Sequence, residues 1–230
     1  MQPLPKVDQV SVAIEGSPER FPVRRVICVG RNYADHAKEM GSSGREPPFF
    51  FFKPTDSIFN VGHGVTRDWP YPSLTQDLHY EVELVVAIGR SGHDVPVASA
   101  AELIWGYAVG LDMTRRDLQA MMKKESKPWC IGKGLDHGAI IGPLTPIESC
   151  GEIRGGGIRL DVNDATRQSG DIADMIWNVN EIIAHVSRAW ELRPGDLIYT
   201  GTPAGVGPVQ RGDVMTAQAA GLGRFSVCII

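Results

Sequence analysis

Three acidic residues stand at the edges of apolar runs, and together they have the chemistry of a hard-cation site. Glu81 and Glu83 lie two apart in LHYEVELVVAIG, and Asp112 closes the apolar run in WGYAVGLDMT. On a strand, residues i and i+2 face the same side, so Glu81 and Glu83 point together while Val82 and Leu84 point away. Two like charges beside a core are costly unless one is protonated or a cation neutralises them. All-oxygen ligation suits Mg²⁺ or Mn²⁺, with positions left for water and substrate, and argues against zinc, which favours nitrogen and sulfur. Taken singly, each acid has a plainer reading. Glu-x-Glu is also a solvated strand face, and Asp112 is also a cap for the helix that TRRDLQ begins.

Other groups suit a reaction beside such a cation. His36 and Glu39 are three apart in the helix-compatible segment NYADHAKEM, close enough to touch. A carboxylate beside imidazole holds its tautomer and raises its basicity, the arrangement of a water-activating base; the same spacing is also common on helix surfaces. Lys133 stands between Gly132 and Gly134, neighbours without side chains that allow close approach to a ligand, or simply a turn. Arg115, Arg116 and Gln119 follow Asp112 on a helix that presents them either to an anion or to solvent.

The elements that position these groups are short. The chain has 26 Gly and 16 Pro among 230 residues, above average usage and unfavourable for long helices. Hydrophobic content of 43% supports one sizeable core. Residues 1–24 read as a hairpin, with VSVAI and FPV flanking the turn GSPER. RRVICVG, FFFFK, LHYEVELVVAIG, the end of ASAAELIWGYAVGLDMT, IRLDVND and FSVCII read as strands, and residues 60–76 as a loop. RRDLQAMMKKESKPW is helical up to Pro128. Ile176, Val179, Ile182, Ile183, Val186, Ala189 and Trp190 recur at helical spacing in what should be the longest helix. RPGDLIYTG and QRGDVMTA each place a strand after a Gly-Asp turn.

A net charge of −4 gives no basic footprint for nucleic acid. No run of 18 apolar residues spans a membrane, and MQPLPKVDQV lacks the pattern of a signal peptide. Cys28, Cys130, Cys150 and Cys228 form no Cys-x-x-Cys pair and read as reduced, mostly buried thiols of a cytoplasmic protein. Neither a Walker loop nor a Rossmann glycine fingerprint is present, which disfavours a nicotinamide dehydrogenase.

In this order, the segments GRNYADHAKEMG, PFFFFKP, HYEVELVVAIG, GYAVGLDMTRRDLQ, KPWCIGKGLD, VNDATRQSG and YTGTPAGVG resemble the fumarylacetoacetate hydrolase family over most of the chain. The resemblance implies an α+β, β-rich fold: a mixed β-roll with a sandwich-like core over residues 25–230, the N-terminal hairpin packed on it, in a homodimer. It implies Mg²⁺ or Mn²⁺ on Glu81, Glu83 and Asp112, water activation by His36 and Glu39, and Lys133 as a further catalytic group. Gln119, Arg116 and Thr202 are then substrate contacts. The implied reaction is hydrolysis of a C–C bond in a 2,4-diketo acid, with fumarylpyruvate, from gentisate-type aromatic catabolism, as the expected substrate. Acylpyruvate hydrolysis and oxaloacetate decarboxylation are alternatives on the same scaffold, and a non-catalytic, metal-stabilised interaction protein is an alternative of another class. The distal carboxylate of such a substrate needs a cation, and Arg45, in a GREPP loop that suits a closing lid, is the candidate.

Overall fold

The computed structural model describes residues 4–33 and 45–230. Its centre is a mixed eight-stranded sheet. The order across it is Phe49–Lys53, Arg25–Gly30, Asp196–Tyr199, Val82–Ile88, Ile104–Asp112, Ala139–Ile141 and Ile58–Asn60, with Thr145–Pro146 also pairing with Ile104–Asp112. Arg25–Gly30 runs parallel to Asp196–Tyr199, and Ala139–Ile141 parallel to Ile58–Asn60; the remaining pairs are antiparallel.

Val82–Ile88 is buried along its whole length, which is why VELVVAI shows no polar alternation. Its residues divide between two cores. Leu84, Val86 and Ile88 face a core that also contains Ile158, Leu160, Met215, Phe225 and Val227. These come from a second sheet of five strands in the order Ala165–Asp171, Gly157–Val162, Val214–Ala219, Arg224–Ile229 and Thr66–Trp69. Val85 and Ala87 face the other core, which Val12 and Phe21 help to close. Those two residues belong to the N-terminal hairpin, where Ser11–Ala13 pairs with Arg20–Pro22. The result is the β-rich α+β roll with a sandwich-like core that the resemblance implies.

The helix Val179–Ala189 buries Ile182, Ile183 and Val186 and begins with a capping box between Asn178 and Glu181. It packs against the 3₁₀ segment Val97–Leu103. Two shorter helices, Arg116–Lys124 and Cys130–Lys133, stand near the acidic residues. Among the described residues, no helix is long and apolar enough to cross a membrane.

Three expectations change. Residues 66–69 form a strand rather than loop: backbone pairing with Ser226–Ile229 holds them at a sheet edge, and only Trp69 is buried. LHYEVELVVAIG is two strands rather than one. Leu78–Tyr80 leaves for a small sheet with Thr114–Arg115 and Gly207–Val209, and Glu81 sits at the break. Of the four free cysteines, Cys28 alone is buried, while Cys130 is exposed.

Candidate active site

The three acids meet. Carboxylate oxygens of Glu81, Glu83 and Asp112 lie within 4.8 Å of one another, and all three residues are buried. Antiparallel pairing of Val82–Ile88 with Ile104–Asp112 brings them together, since Glu83 faces Gly110 and the Asp112 amide donates to the Glu81 carbonyl at 2.9 Å. With exposures of 6%, 1% and 0%, the solvated-face reading fails. Asp112 is also not the helix cap. The N-cap position falls on Arg115, without a side-chain cap, and Asp117 in the first turn accepts from the Leu118 amide at 2.8 Å, the Gln76 amide at 3.0 Å and the Thr75 hydroxyl at 2.6 Å.

Cations answer the acids. Lys133 Nζ donates to Glu81 Oε2 at 2.8 Å, Asp112 Oδ2 at 2.8 Å and Thr114 Oγ1 at 2.7 Å. Burial opposes the ammonium charge, but the Asp112 and Glu81 carboxylates outweigh it and raise the Lys133 pKa. Lys133 is therefore a fixed cation at neutral pH. Its neighbour Gly132 is required for packing: a Cβ there would stand 2.9 Å from the Gln119 backbone. Arg116 pairs with Glu81 through Nη2 and donates to Gln119 Oε1 at 2.6 Å. Its Nε donates to His79 Nδ1 at 3.3 Å, while His79 Nε2 lies 2.9 Å from Asp77 Oδ1. Burial and the Arg116 charge lower the His79 pKa, which keeps the imidazole a neutral acceptor.

Sequence reasoning did not find Lys53. Its Nζ lies 2.8 Å from Asp112 Oδ1 and donates to the carbonyls of Met113, at 2.9 Å, and Lys133. The signal was present, as one lysine closing the apolar run FFFFK. Asn32, Thr114 and Gln168 were also missed; all are buried polar residues.

A divalent cation fits this donor set. Asp112 Oδ1 is buried and has no aligned hydrogen bond; the Lys53 contact to it is an ion pair without hydrogen-bond geometry. Burial, Asp112 and Glu81 push the Glu83 carboxyl well above the usual carboxylate range. A hard cation relieves that repulsion and accepts a lone pair from Oδ1.

One wall is built where two parallel strands end. Asn32 Nδ2 donates to the Thr200 carbonyl at 2.8 Å and the Trp177 carbonyl at 2.9 Å. Gly201, at φ +95°, donates its amide to Glu83 Oε2 at 2.8 Å. Gln168 Nε2 holds Thr202 Oγ1 at 2.8 Å while its Oε1 accepts from the Val82 amide at 2.9 Å. Glu81, Glu83, Arg116, Gln119, Lys133 and Thr202 line one cleft, together with Arg31, Phe49 and Trp129. Its volume of about 30 Å³ holds an ion and a water or two, so the aromatic side must yield to admit an organic acid.

Arg45 is not brought to this cleft. It pairs with Glu181 and stacks over Trp177, 4.3 Å from the ring centroid. Arg115 donates to the Ile131 carbonyl at 3.2 Å. His36 and Glu39 lie outside the described residues, as do residues 42–44 of the lid candidate at 42–48.

A buried carboxylate triad able to hold a divalent cation, on a mixed β-roll, agrees with comparison to known proteins. Residues 25–230 match the family model described as fumarylacetoacetate (FAA) hydrolase C-terminal, and the chain belongs to that family. It is 43% identical to a fumarylpyruvate hydrolase of Ralstonia sp over 80% of this chain and 93% of that protein. It is 40% identical to a mitochondrial oxaloacetate decarboxylase of Dictyostelium discoideum, over 86% and 90%. The crystal structure of a fumarylpyruvate hydrolase from Pseudomonas aeruginosa, in complex with Mn²⁺ and pyruvate, superposes with a TM-score of 0.97. Its sequence is 52% identical, with 100% and 99% of the two chains covered.

Proposed function

We propose that this protein hydrolyses the C–C bond of a 2,4-diketo acid in a reaction dependent on Mg²⁺ or Mn²⁺, converting fumarylpyruvate and water to fumarate and pyruvate. The observation that carries the reading is the convergence of Glu81, Glu83 and Asp112 within 4.8 Å, buried, beside Lys133. A divalent cation held by the three carboxylates supplies Lewis acidity toward the 2-oxo acid end of the substrate. Arg116, Gln119 and Thr202 orient that end.

His36, held by Glu39, takes a proton from water, and the oxygen adds to the C4 carbonyl. Breaking the C3–C4 bond leaves its electron pair on the pyruvate fragment as an enolate. The Lys133 ammonium stabilises the enolate oxygen. The proton that His36 took from water passes to C3 and completes pyruvate, and the new carboxylic acid ionises to fumarate.

The setting we propose for this reaction is gentisate-type aromatic catabolism in the cytoplasm. The homodimer inference has its own support, in the sheet-edge strand Phe49–Lys53, where Phe49 and Phe52 are 36% and 40% exposed. Oxaloacetate decarboxylation is the second reading, favoured by the 40% identity to the Dictyostelium enzyme.

The test is a panel of fumarylpyruvate, maleylpyruvate, acetylpyruvate and oxaloacetate with Mg²⁺ or Mn²⁺, following loss of diketo absorbance and release of pyruvate. Fumarylpyruvate should give the highest kcat/KM. Turnover of oxaloacetate alone would replace hydrolysis with decarboxylation, and turnover of none would leave the non-catalytic reading.

A further inference from the structure

We propose that Arg31 binds the second carboxylate of a dicarboxylic substrate, and so sets a preference for acylpyruvates ending in a carboxylate over those ending in a methyl group. The proposal rests on the hydrolase reading above and names the substrate class of that site.

Arg31 lines the cleft with the metal-binding carboxylates. Its φ is +56°, in the left-handed region that arginine rarely enters, so surrounding structure must hold it there. Asn32 does this. Besides its two bonds to carbonyls, its Oδ1 accepts from the Trp177 amide at 2.8 Å and its own carbonyl accepts from the Ile176 amide at 2.7 Å. The residue after Arg31 is thus fastened at four points, and the arginine is turned out of the strand line into the cleft.

Among the described residues, the guanidinium is the uncommitted cation of the cleft. Lys133 and Arg116 are bound to the carboxylates, and Arg45 is bound to Glu181 outside the cleft. Arg31 Nε is buried and has no hydrogen-bond partner among the described residues, and the guanidinium carbon lies 5.7 Å from the Phe49 ring centroid. A buried arginine donor without a partner is unfavourable, and a carboxylate meets its planar fork with two parallel bonds.

The surroundings suit the rest of an unsaturated acyl group. Phe49 packs edge-on against Trp129, with centroids 5.4 Å apart, and its ring covers Gly30, where a Cβ would stand 2.0 Å from the ring. A planar alkene fits against such aromatic faces. The keto-acid end then lies with Glu81, Glu83, Asp112, Lys133 and Arg116, leaving Arg31 for the opposite end.

The experiment compares wild type, Arg31→Ala and Arg31→Lys in kcat/KM for fumarylpyruvate and for acetylpyruvate, with calorimetric binding of fumarate and of pyruvate to the Mn²⁺-loaded protein. In Arg31→Ala the fumarylpyruvate/acetylpyruvate ratio should fall by roughly 100-fold, with partial recovery in Arg31→Lys. Fumarate binding should weaken at least about tenfold more than pyruvate binding. A ratio within about threefold of wild type, or equal weakening of both ligands, would overturn the assignment. If wild type turns over neither diketo acid, the hydrolase reading fails, and the relative loss of fumarate and pyruvate binding alone decides whether Arg31 is the second-carboxylate site.

Discussion

Lys53 and Asp112 form an ion pair with both side chains withdrawn from water, Nζ standing 2.8 Å from Oδ1. The same ammonium holds the carbonyls of Met113 and Lys133, so it ties the strand end that carries Asp112 to the short helix that carries the second lysine. Breaking a buried pair from one side strands the other charge. Lys53→Met should cost about 3–5 kcal/mol in urea unfolding. Lys53→Met combined with Asp112→Asn should recover part of that loss; simple additivity of the two costs would show that the residues are not coupled.

Glu83→Ala separates metal binding from folding. It removes one of three like charges, while Lys53, Lys133 and Arg116 already balance the remaining acids. The fold should persist by circular dichroism, Mn²⁺ binding by calorimetry should be lost, and turnover should drop by roughly 10³-fold. For the same reason, chelator-treated wild type should stay folded and lose activity. Unchanged activity after chelation would end the metal's catalytic role.

Gly201 serves the site through its backbone. At φ +95°, an added Cβ would also stand 2.7 Å from Asn32 Cβ. Gly201→Ala should destabilise the protein by about 1–3 kcal/mol and lower Tm by roughly 2–4 °C per kcal/mol. The amide that holds Glu83 Oε2 moves with it, so Mn²⁺ affinity should fall as well. A thermal scan and a metal titration on one sample check both effects.

Acid sensitivity has a specific contributor in Asp117. Burial acts to raise its pKa, but the Thr75 hydroxyl and the Gln76 and Leu118 amides win and hold it below the usual aspartate value. As pH falls, the unfolded chain takes up this proton first. The stabilisation is therefore present above the unfolded pKa, near 3.9, and is lost as pH falls through the folded value. Asp117→Asn should cost about 1 kcal/mol at neutral pH, and the gap to wild type should close below about pH 4. Parallel urea midpoints across that range would show the residue uninvolved.

Much of this site was legible in one dimension because short-range spacing carries it. The Glu81/Glu83 pair is an i, i+2 relation, Lys133 announces itself between two glycines, and the family segments follow in order. Arg45 was misplaced because a basic residue in a Gly/Ser/Pro loop has no local marker of direction; Glu181 and Trp177, which claim it, lie more than 130 residues away. Arg31 escaped notice because a left-handed φ at a non-glycine residue has no sequence signature.

By itself the sequence determined the β-rich scaffold, the acids' chemistry and the alternation that orients Glu83. Apolar patterning and residue type decide those locally. Only the tertiary structure decided that Asp112 meets Glu81 and Glu83, and that Lys53, Lys133 and Arg116 neutralise them. It also decided that the strand breaks at Glu81 to join two sheets. Such decisions depend on strand register and on the low dielectric of a closed core, where each buried charge must find a partner from a distant part of the chain.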